Sequence, residues 1–286
     1  MRMVTWRREE DAVASSIGTM LAILVILTML TVVTTGWAPE WTKSKESEHM
    51  RVVESQFASL KALLDQLSLS DNTEALVSTP ITLGSEGVPM FSADSTGTIS
   101  LMMATNNNNF NTFSVENSTG LHQRVAYGSI MYESQNTEYI DQQFIYETGA
   151  IILKQPDGEL MITGPSLIIQ NLTRGLKVSI VLMSIYSDGS MYTGKGTVGI
   201  NCRLVQDSIV STETWNPTET LHINVTTSVY EAWYDYFARV VPDSGIDSGD
   251  YDLSVDEATG TVHLTLRNVY QLITDYVILG SSLDMT

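Results

Sequence analysis

The stretch AVASSIGTMLAILVILTMLTVVTTGWAP, residues 12–39, decides how this chain is organised. It contains 28 consecutive uncharged residues. A helix over residues 13–35 would be about 34 Å long, enough to cross a hydrocarbon layer of about 30 Å. A buried helix of a soluble protein is rarely apolar on every face over this length. Trp37 and Trp41 follow, where aromatic residues accumulate at membrane surfaces. The stretch is too long for an ordinary cleaved signal peptide and predicts one membrane-spanning helix, residues 13–37.

The acidic charge of the protein lies entirely after this stretch. The net charge is -18, and within residues 1–37 three arginines balance three acidic residues. A domain this acidic repels phosphate backbones, so no nucleic-acid partner is expected. Cys202 is the only cysteine, which excludes an intramolecular disulfide and a Cys-based zinc site. Its apolar surroundings, VGINCRLV, predict a small buried core residue.

Residues 38–70 predict an amphipathic stalk helix, with Pro39 kinking or restarting the helix at the membrane exit. Apolar residues recur every three or four positions: Met50, Val53, Phe57, Leu60, Leu64 and Leu67. The charged residues Glu46, Glu48, Arg51, Glu54, Lys61 and Asp65 fall off this stripe. The stripe fits either a self-associating coiled coil or packing against the protein's own head. Fewer than four heptads favours packing.

Residues 71–286 predict a β-rich head that forms an antiparallel sandwich or barrel-like fold, because turn signals recur about every 8–12 residues. The candidate strands are GTISLMMA, RVAYGSIMYES, FIYETGAIILKQ, ELMITGPSLIIQN, KVSIVLMSIY, TVGINCRLV, TLHINVTT, YDLSVDEA and TVHLTLRNV. One inserted helix is expected in SVYEAWYDYFARVV, with Ser228 and Glu231 as a capping box. The fold class is therefore mainly β with α.

Motifs for catalysis or cofactor binding are weak throughout the sequence. GKGTVG, residues 194–199, matches G-x-G-x-x-G but precedes a strand candidate, which favours a turn over a dinucleotide site. Asp243, Asp247, Asp250 and Asp252 do not match the spacing of an EF-hand, so a solvated acidic loop is expected in place of a calcium site. The four histidines show no metal-binding spacing, and no nucleophile motif is present. We assign no catalytic residue, metal site or cofactor.

Three sequons bear on the orientation of the chain in the membrane. Basic residues flank both ends of the apolar stretch, so the positive-inside rule barely discriminates. The triplets at Asn117, Asn171 and Asn224 are candidate glycosylation sites and favour a head outside the cell. We therefore expect a single-pass protein of the cell membrane with a cytoplasmic N-terminus and an extracellular head.

The N-terminal segment RREEDAVASSIGTMLAILVILTML resembles the class III signal of archaeal type IV pilins and archaellins. In that family a charged residue and then Gly or Ala precede the cleavage site, and the hydrophobic helix stays in the mature protein. The resemblance implies cleavage between Ala12 and Val13, so that residues 1–12 form a cytoplasmic leader. The sequence departs from the family pattern at Ala14 and Ser16, where Ser and Pro are usual.

This resemblance implies a non-enzymatic structural role as a pilin-like subunit, in a filament or as a minor pilin with adhesive function. The expected partners are the lipid bilayer, sister pilin subunits, a prepilin peptidase, and an assembly ATPase with its platform protein. The alternative is a monomeric anchored surface module that binds ions, glycans or a protein. An ectoenzyme is the third hypothesis, although no residues single out a reaction.

Overall fold

A single helical rod begins the protein. The computed structural model describes residues 4–70, 72–103, 111–120, 123–206 and 208–285, without the side chains of residues 4–14 and 216–218. Helix α1 spans Val4–Val32, a π-helical turn spans Val33–Trp37, and helix α2 spans Ala38–Ser68. The predicted long N-terminal helix is confirmed, and it extends further towards the N-terminus than the expected start at residue 13.

The head that follows is a β-sandwich. Its first sheet has nine strands: β1 Leu76–Thr82, β3 Thr112–Asn117, β4 Gln123–Tyr127, β9 Leu167–Leu172, β10 Gly175–Tyr186, β12 Thr197–Leu204, β13 Ile209–Thr226, β14 Tyr251–Asp256 and β15 Thr261–Met285. Its second sheet has six: β2 Thr96–Met102, β5 Ser129–Gln135, β6 Gln143–Glu147, β7 Ala150–Gln155, β8 Gly158–Thr163 and β11 Met191–Gly194.

Strand β15 organises the first sheet. It pairs with β12, β13 and β14 in the antiparallel sense and with β10 in the parallel sense. The predicted antiparallel sandwich is therefore confirmed with one parallel pair. The second sheet has the order β11-β2-β5-β6-β7-β8 and is antiparallel throughout.

Helix α2 packs its apolar stripe into the head, in one of two hydrophobic clusters that join the sheets. Met50 and Leu67 are 3% exposed, and Val53, Phe57, Leu60 and Leu64 are fully buried. They share this cluster with residues of both sheets, such as Ile130 of β5 and Ile200 of β12. The stripe therefore lies in the protein's own core, which excludes its use as the seam of a coiled coil between separate stalks. Cys202 is buried in the same cluster, as expected.

The inserted helix, α3, spans Tyr230–Asp243 and covers the second cluster with Trp233 and Phe237. The predicted capping box is wrong. Val229 occupies the N-cap position, and no side chain there bonds to the helix. The Ala232 N–H points instead towards a Glu159 carboxylate oxygen of β8, at 3.4 Å. The carboxylate of Glu159 thus takes the place expected for the Ser228 side chain near the first turn of α3.

Candidate membrane anchor and head surfaces

From Ile17 to Val32 the surface of α1 is apolar and exposed. From Ile17 to Val32 its large hydrophobic side chains are between 50% and 72% exposed. The most apolar window of the Ser15–Ser68 helix has a mean hydropathy of 2.4 and no buried residue. Among the described residues, this is one helix that is long and apolar enough to cross a membrane. In water each of these side chains would forgo the free energy that burial gives it.

Five threonine hydroxyls of the apolar segment bond to the helix backbone. Thr19, Thr28, Thr31, Thr34 and Thr35 each donate to a backbone carbonyl three or four residues earlier in the same helix. In hydrocarbon every polar group must find its partner within the protein. The described side chains of α1 therefore suit lipid or neighbouring helices.

The predicted cleavage residues lie inside α1. Ala12 and Val13 belong to the helical backbone of Val4–Val32, in the part whose side chains are not described. Cleavage between them stays a prediction.

A π-helical turn marks the end of the apolar half of the rod. The Ala38 N–H donates to the Val33 carbonyl, five residues back. Pro39 has no N–H to offer the Thr35 carbonyl, so an α-helical bond cannot form there. The indole rings of Trp37 and Trp41 lie 6.5 Å apart and are more than half exposed. The predicted irregularity near Pro39 is therefore a change of hydrogen-bond register inside a helix that continues.

Beyond Trp41 along α2, the buried carboxylate of Glu46 connects the helix to the head. The side chain of Glu46 is 1% exposed and accepts hydrogen bonds from the backbone N–H groups of Thr137, Glu138 and Tyr139, at 2.7, 2.9 and 2.7 Å. These three residues belong to the loop between β5 and β6. The sequence places Glu46 off the apolar stripe, yet in the structure its side chain is buried. Its position four residues before Met50 was the signal that it lies on the buried face.

A second charged residue of the stalk is also covered. Lys61 is 9% exposed and pairs with Asp65 at 3.0 Å. Lys61 also falls off the apolar stripe, yet neighbouring polypeptide covers its stem while its amine pairs with a carboxylate on the same helix.

Another buried carboxylate lies between the sheets and α3. Both oxygens of Glu147 accept hydrogen bonds, one from the Trp233 indole N–H and one from the Thr227 hydroxyl at 3.0 Å. Burial raises the pKa of Glu147 from 4.5 to about 7, although the two donors partly oppose that shift. Nothing in the local sequence pattern around Glu147 marks it, because its donors lie 80 residues or more along the chain.

The three sequons lie in different surroundings. Asn171 is exposed, and its amide donates to the Gly245 carbonyl at 2.7 Å. Asn224 is half-buried on the sheet, where its amide oxygen lies 2.8 Å from His263 Nδ1. Asn117 is 6% exposed. The exposed position of Asn171 makes it the most accessible acceptor of the three, and glycosylation stays a prediction.

The acidic loop after α3 is held by contacts within the chain. Asp250 accepts a hydrogen bond from the Asn268 side chain at 2.8 Å, and its carbonyl accepts the Arg267 N–H. Among the described residues, no three His, Cys, Asp or Glu side chains are grouped so that they could hold a metal ion. GKGTVG forms the turn from β11 into β12, as the sequence favoured.

Open grooves lie on the described part of the head. One has a volume of about 510 Å³ and is lined by residues that include Leu76, Tyr186, Asp188 and Arg203. It lies near the start of β1, beyond the end of α2 that is opposite the apolar helix. Another has a volume of about 410 Å³ and lies between α3 and β14, beside Tyr230 and Leu253.

The chain matches a protein-family model. A family model described as a family of unknown function (DUF7289) matches residues 12–272, which include α1 from Ala12, the stalk and most of the head. No match was found among the curated proteins or among the solved structures.

Proposed function

Since the chain belongs to this family of unknown function, we propose its function from its own architecture: a membrane-anchored, type IV pilin-like structural protein of the cell surface. One observation carries the proposal. A single continuous helical rod carries exposed apolar side chains from Ile17 to Val32, while its second part, α2, buries one face in the protein's own head. An apolar helix that leads straight into a folded head is the arrangement expected of a subunit that is stored in a membrane and can assemble through its helix.

The burial of α2 limits where such assembly can occur. Its stripe is already used in the head, so contacts between helices of different copies must form through α1. In this proposal the N-terminus is cytoplasmic, the acidic head is extracellular, and the partners are the bilayer and sister subunits. A prepilin peptidase and an assembly ATPase with its platform protein would process and assemble the chain.

Gly18 offers a test of assembly that leaves the single chain intact. A Cβ added at Gly18 has no neighbour within 4 Å, so Gly18→Leu fits the isolated helix and keeps it apolar. Small residues allow close approach of helices, and Leu at the same position would hold them apart. We expect Gly18→Leu cells to lose surface filaments, seen by electron microscopy, while the membrane fraction keeps its full amount of protein.

The control is Met20→Leu, a change of similar volume at a position that is 72% exposed on the same helix. Filaments should persist in this variant. Filaments of normal abundance in the Gly18→Leu cells would contradict assembly through this face of α1.

The second candidate is a monomeric anchored module, and the 510 Å³ groove favours it. The groove combines an exposed aromatic side chain, Tyr186, with the charged groups of Asp188 and Arg203, at the end of the head away from the apolar helix. Such a combination suits a polar ligand reached from outside the cell. Parent cells without filaments, in which the protein still reaches the surface, would favour this candidate over the pilin-like one.

A further inference from the structure

The loop between β1 and β2, residues 83–95, lies against the first turns of α2. The Thr42 hydroxyl lies 2.8 Å from the Ser92 hydroxyl oxygen, and Lys45 Nζ donates to the Gly87 carbonyl at 3.1 Å. Within the loop, Asp94 accepts the Gly87 N–H at 2.9 Å. These contacts attach the β1–β2 loop to the helix just above the tryptophan pair.

The loop reaches the level at which the apolar half of the rod ends. Thr42 is 1% exposed and Ala38, one turn earlier, is 3% exposed. A helix face can be covered like this only by polypeptide of the head, and the loop is the part of the head that touches Thr42. With a rise of about 1.5 Å per residue, Thr42 lies about 7.5 Å along the axis from Trp37. The loop therefore lies beside the aromatic belt.

The tip of the loop carries two exposed apolar side chains. The Phe91 N–H donates to the Val88 carbonyl at 2.9 Å, which closes a turn with Pro89 and Met90 in the middle. Met90 is 99% exposed and Phe91 is 42% exposed. In water, a methionine and a phenylalanine at the tip of a polar loop gain nothing from burial.

Met90 is also strained. Its φ is 69°, a left-handed value that glycine adopts freely and a methionine does not. An apolar side chain that is fully exposed and held in a strained turn has no stabilising role within the chain. Such outliers are a reason to look for function.

We propose that Met90 and Phe91 insert into the interfacial layer of the bilayer, so that the head contacts lipid at a second point besides α1. This inference rests on the membrane anchoring in the proposed function. The bilayer is the occupant because Ser92, which follows Phe91, bonds to Thr42, which follows Trp41 at the end of the apolar segment. The contact would fix the direction in which the head points, since one helix alone leaves the head free to rotate and tilt.

Fluorescence quenching by lipid tests the contact directly. Three variants of the full chain carry one added cysteine each, at Leu24 in α1, at Met90, and at Leu69 just beyond α2. Each is labelled with an environment-sensitive fluorophore and reconstituted into phosphatidylcholine vesicles, with or without brominated acyl chains. Native Cys202 resists labelling because it is buried, and burial raises the pKa of its thiol to about 11. The parent protein, which has no added cysteine, is treated in the same way and should take up no label.

Leu24, Met90 and Leu69 are all exposed, at 62%, 99% and 83%, so labelling should leave the fold intact. We expect brominated lipid to reduce the emission at Leu24→Cys and Met90→Cys by about twofold or more, and to leave Leu69→Cys unchanged. Quenching at Leu24→Cys with no more quenching at Met90→Cys than at Leu69→Cys would overturn the loop contact and leave the anchor standing. Absence of quenching at Leu24→Cys would overturn the anchor and the loop contact with it.

Discussion

Glu46 links the head to the N-terminal part of α2. Its carboxylate is nearly inaccessible to water and accepts three backbone N–H groups from the loop of residues 137–139. Hydrogen bonds to a charged acceptor are worth more than neutral ones, and a donor left unpaired in a buried place is costly. Glu46 therefore fixes the β5–β6 loop to the rod.

Glu46→Gln tests this contact with little change of shape. One carboxylate oxygen becomes an NH₂ group, so at least one of the three backbone N–H groups loses its acceptor. We expect the free energy of unfolding to fall by about 2 kcal/mol, measured by chemical denaturation of the full chain in detergent. Glu48→Gln is the matched control. Glu48 is exposed, lies 3.7 Å from Arg51 and should change stability by less than about 0.5 kcal/mol. Equal effects of the two variants would contradict the role of Glu46.

Glu147 makes stability depend on pH, and the sign follows from its raised pKa. Below pH 4.5 the folded and unfolded states both hold the proton. Between 4.5 and about 7 the folded state keeps the proton while the unfolded state loses it. Stability therefore falls as the pH rises through this window, by about 1.4 kcal/mol per pH unit or roughly 3 kcal/mol in all. Burial also lowers the pKa of His49. This second shift lowers the stability as the pH falls, whereas the raised pKa of Glu147 increases it.

Because His49 titrates nearby in pH, the informative quantity is the difference in unfolding free energy between the parent and Glu147→Gln. Glutamine is neutral at every pH and cannot contribute the proton uptake. We expect the parent to lose about 3 kcal/mol relative to the variant between pH 4.5 and pH 8. A difference that stays constant with pH would show that Glu147 does not titrate in this window.

At the scale of elements, α2 belongs to the core of the head. Phe57 is fully buried, with its ring centroid 5.7 Å from that of Phe144 in β6. Phe57→Ala should lower the free energy of unfolding of the head by about 3–5 kcal/mol, measured by thermal or chemical denaturation. Val52→Ala, at a 40% exposed position of the same helix, should have little effect. A Phe57→Ala protein of unchanged stability that associates less would restore the coiled-coil hypothesis.

Helices were predictable from the sequence because their signals are local. The uncharged run predicts the first part of the rod. The apolar stripe from Met50 to Leu67, which recurs every three or four residues, predicts α2. The capping of α3 was missed because the carboxylate near its first turn, on Glu159, comes from a strand 73 residues away. The spacing of residues within α3 cannot predict a contact with a residue so distant in the sequence.

Strand boundaries were harder to predict than helices. RVAYGSIMYES was expected to be one strand, but it contains β4 and β5, which belong to different sheets. Gly128 separates them with a φ of 88°, where an added Cβ would lie within 2.4 Å of the Ile185 carbonyl oxygen. FIYETGAIILKQ is likewise a hairpin of β6 and β7. Strand β15 continues to Met285, well beyond TVHLTLRNV, because its second half pairs with β10 and β12 from distant parts of the chain.

At the scale of the whole molecule, the protein has two parts. One is an apolar helical segment, whose contact with water is unfavourable, and the other is an acidic head, whose charged surface is well hydrated. The exposed apolar helix was predictable because its apolar length can be read directly from the sequence. Glu46, Glu147 and the β1–β2 loop were not, since their roles arise only when distant segments meet. The boundary between the apolar segment and the acidic head lies at Trp37 to Trp41.

The first residue of the mature protein, determined by mass spectrometry of protein purified from its native membrane, tests the pilin-like account most directly. A chain that begins at Val13 and remains in the membrane is the predicted result, because the leader is removed and α1 is kept. Replacing Ala12 by a bulky residue should leave residues 1–12 attached. A chain that still begins at Met1, in cells that process their own pilins, would contradict the account. So would a chain that begins after Thr35, because α1 would then be a discarded signal sequence.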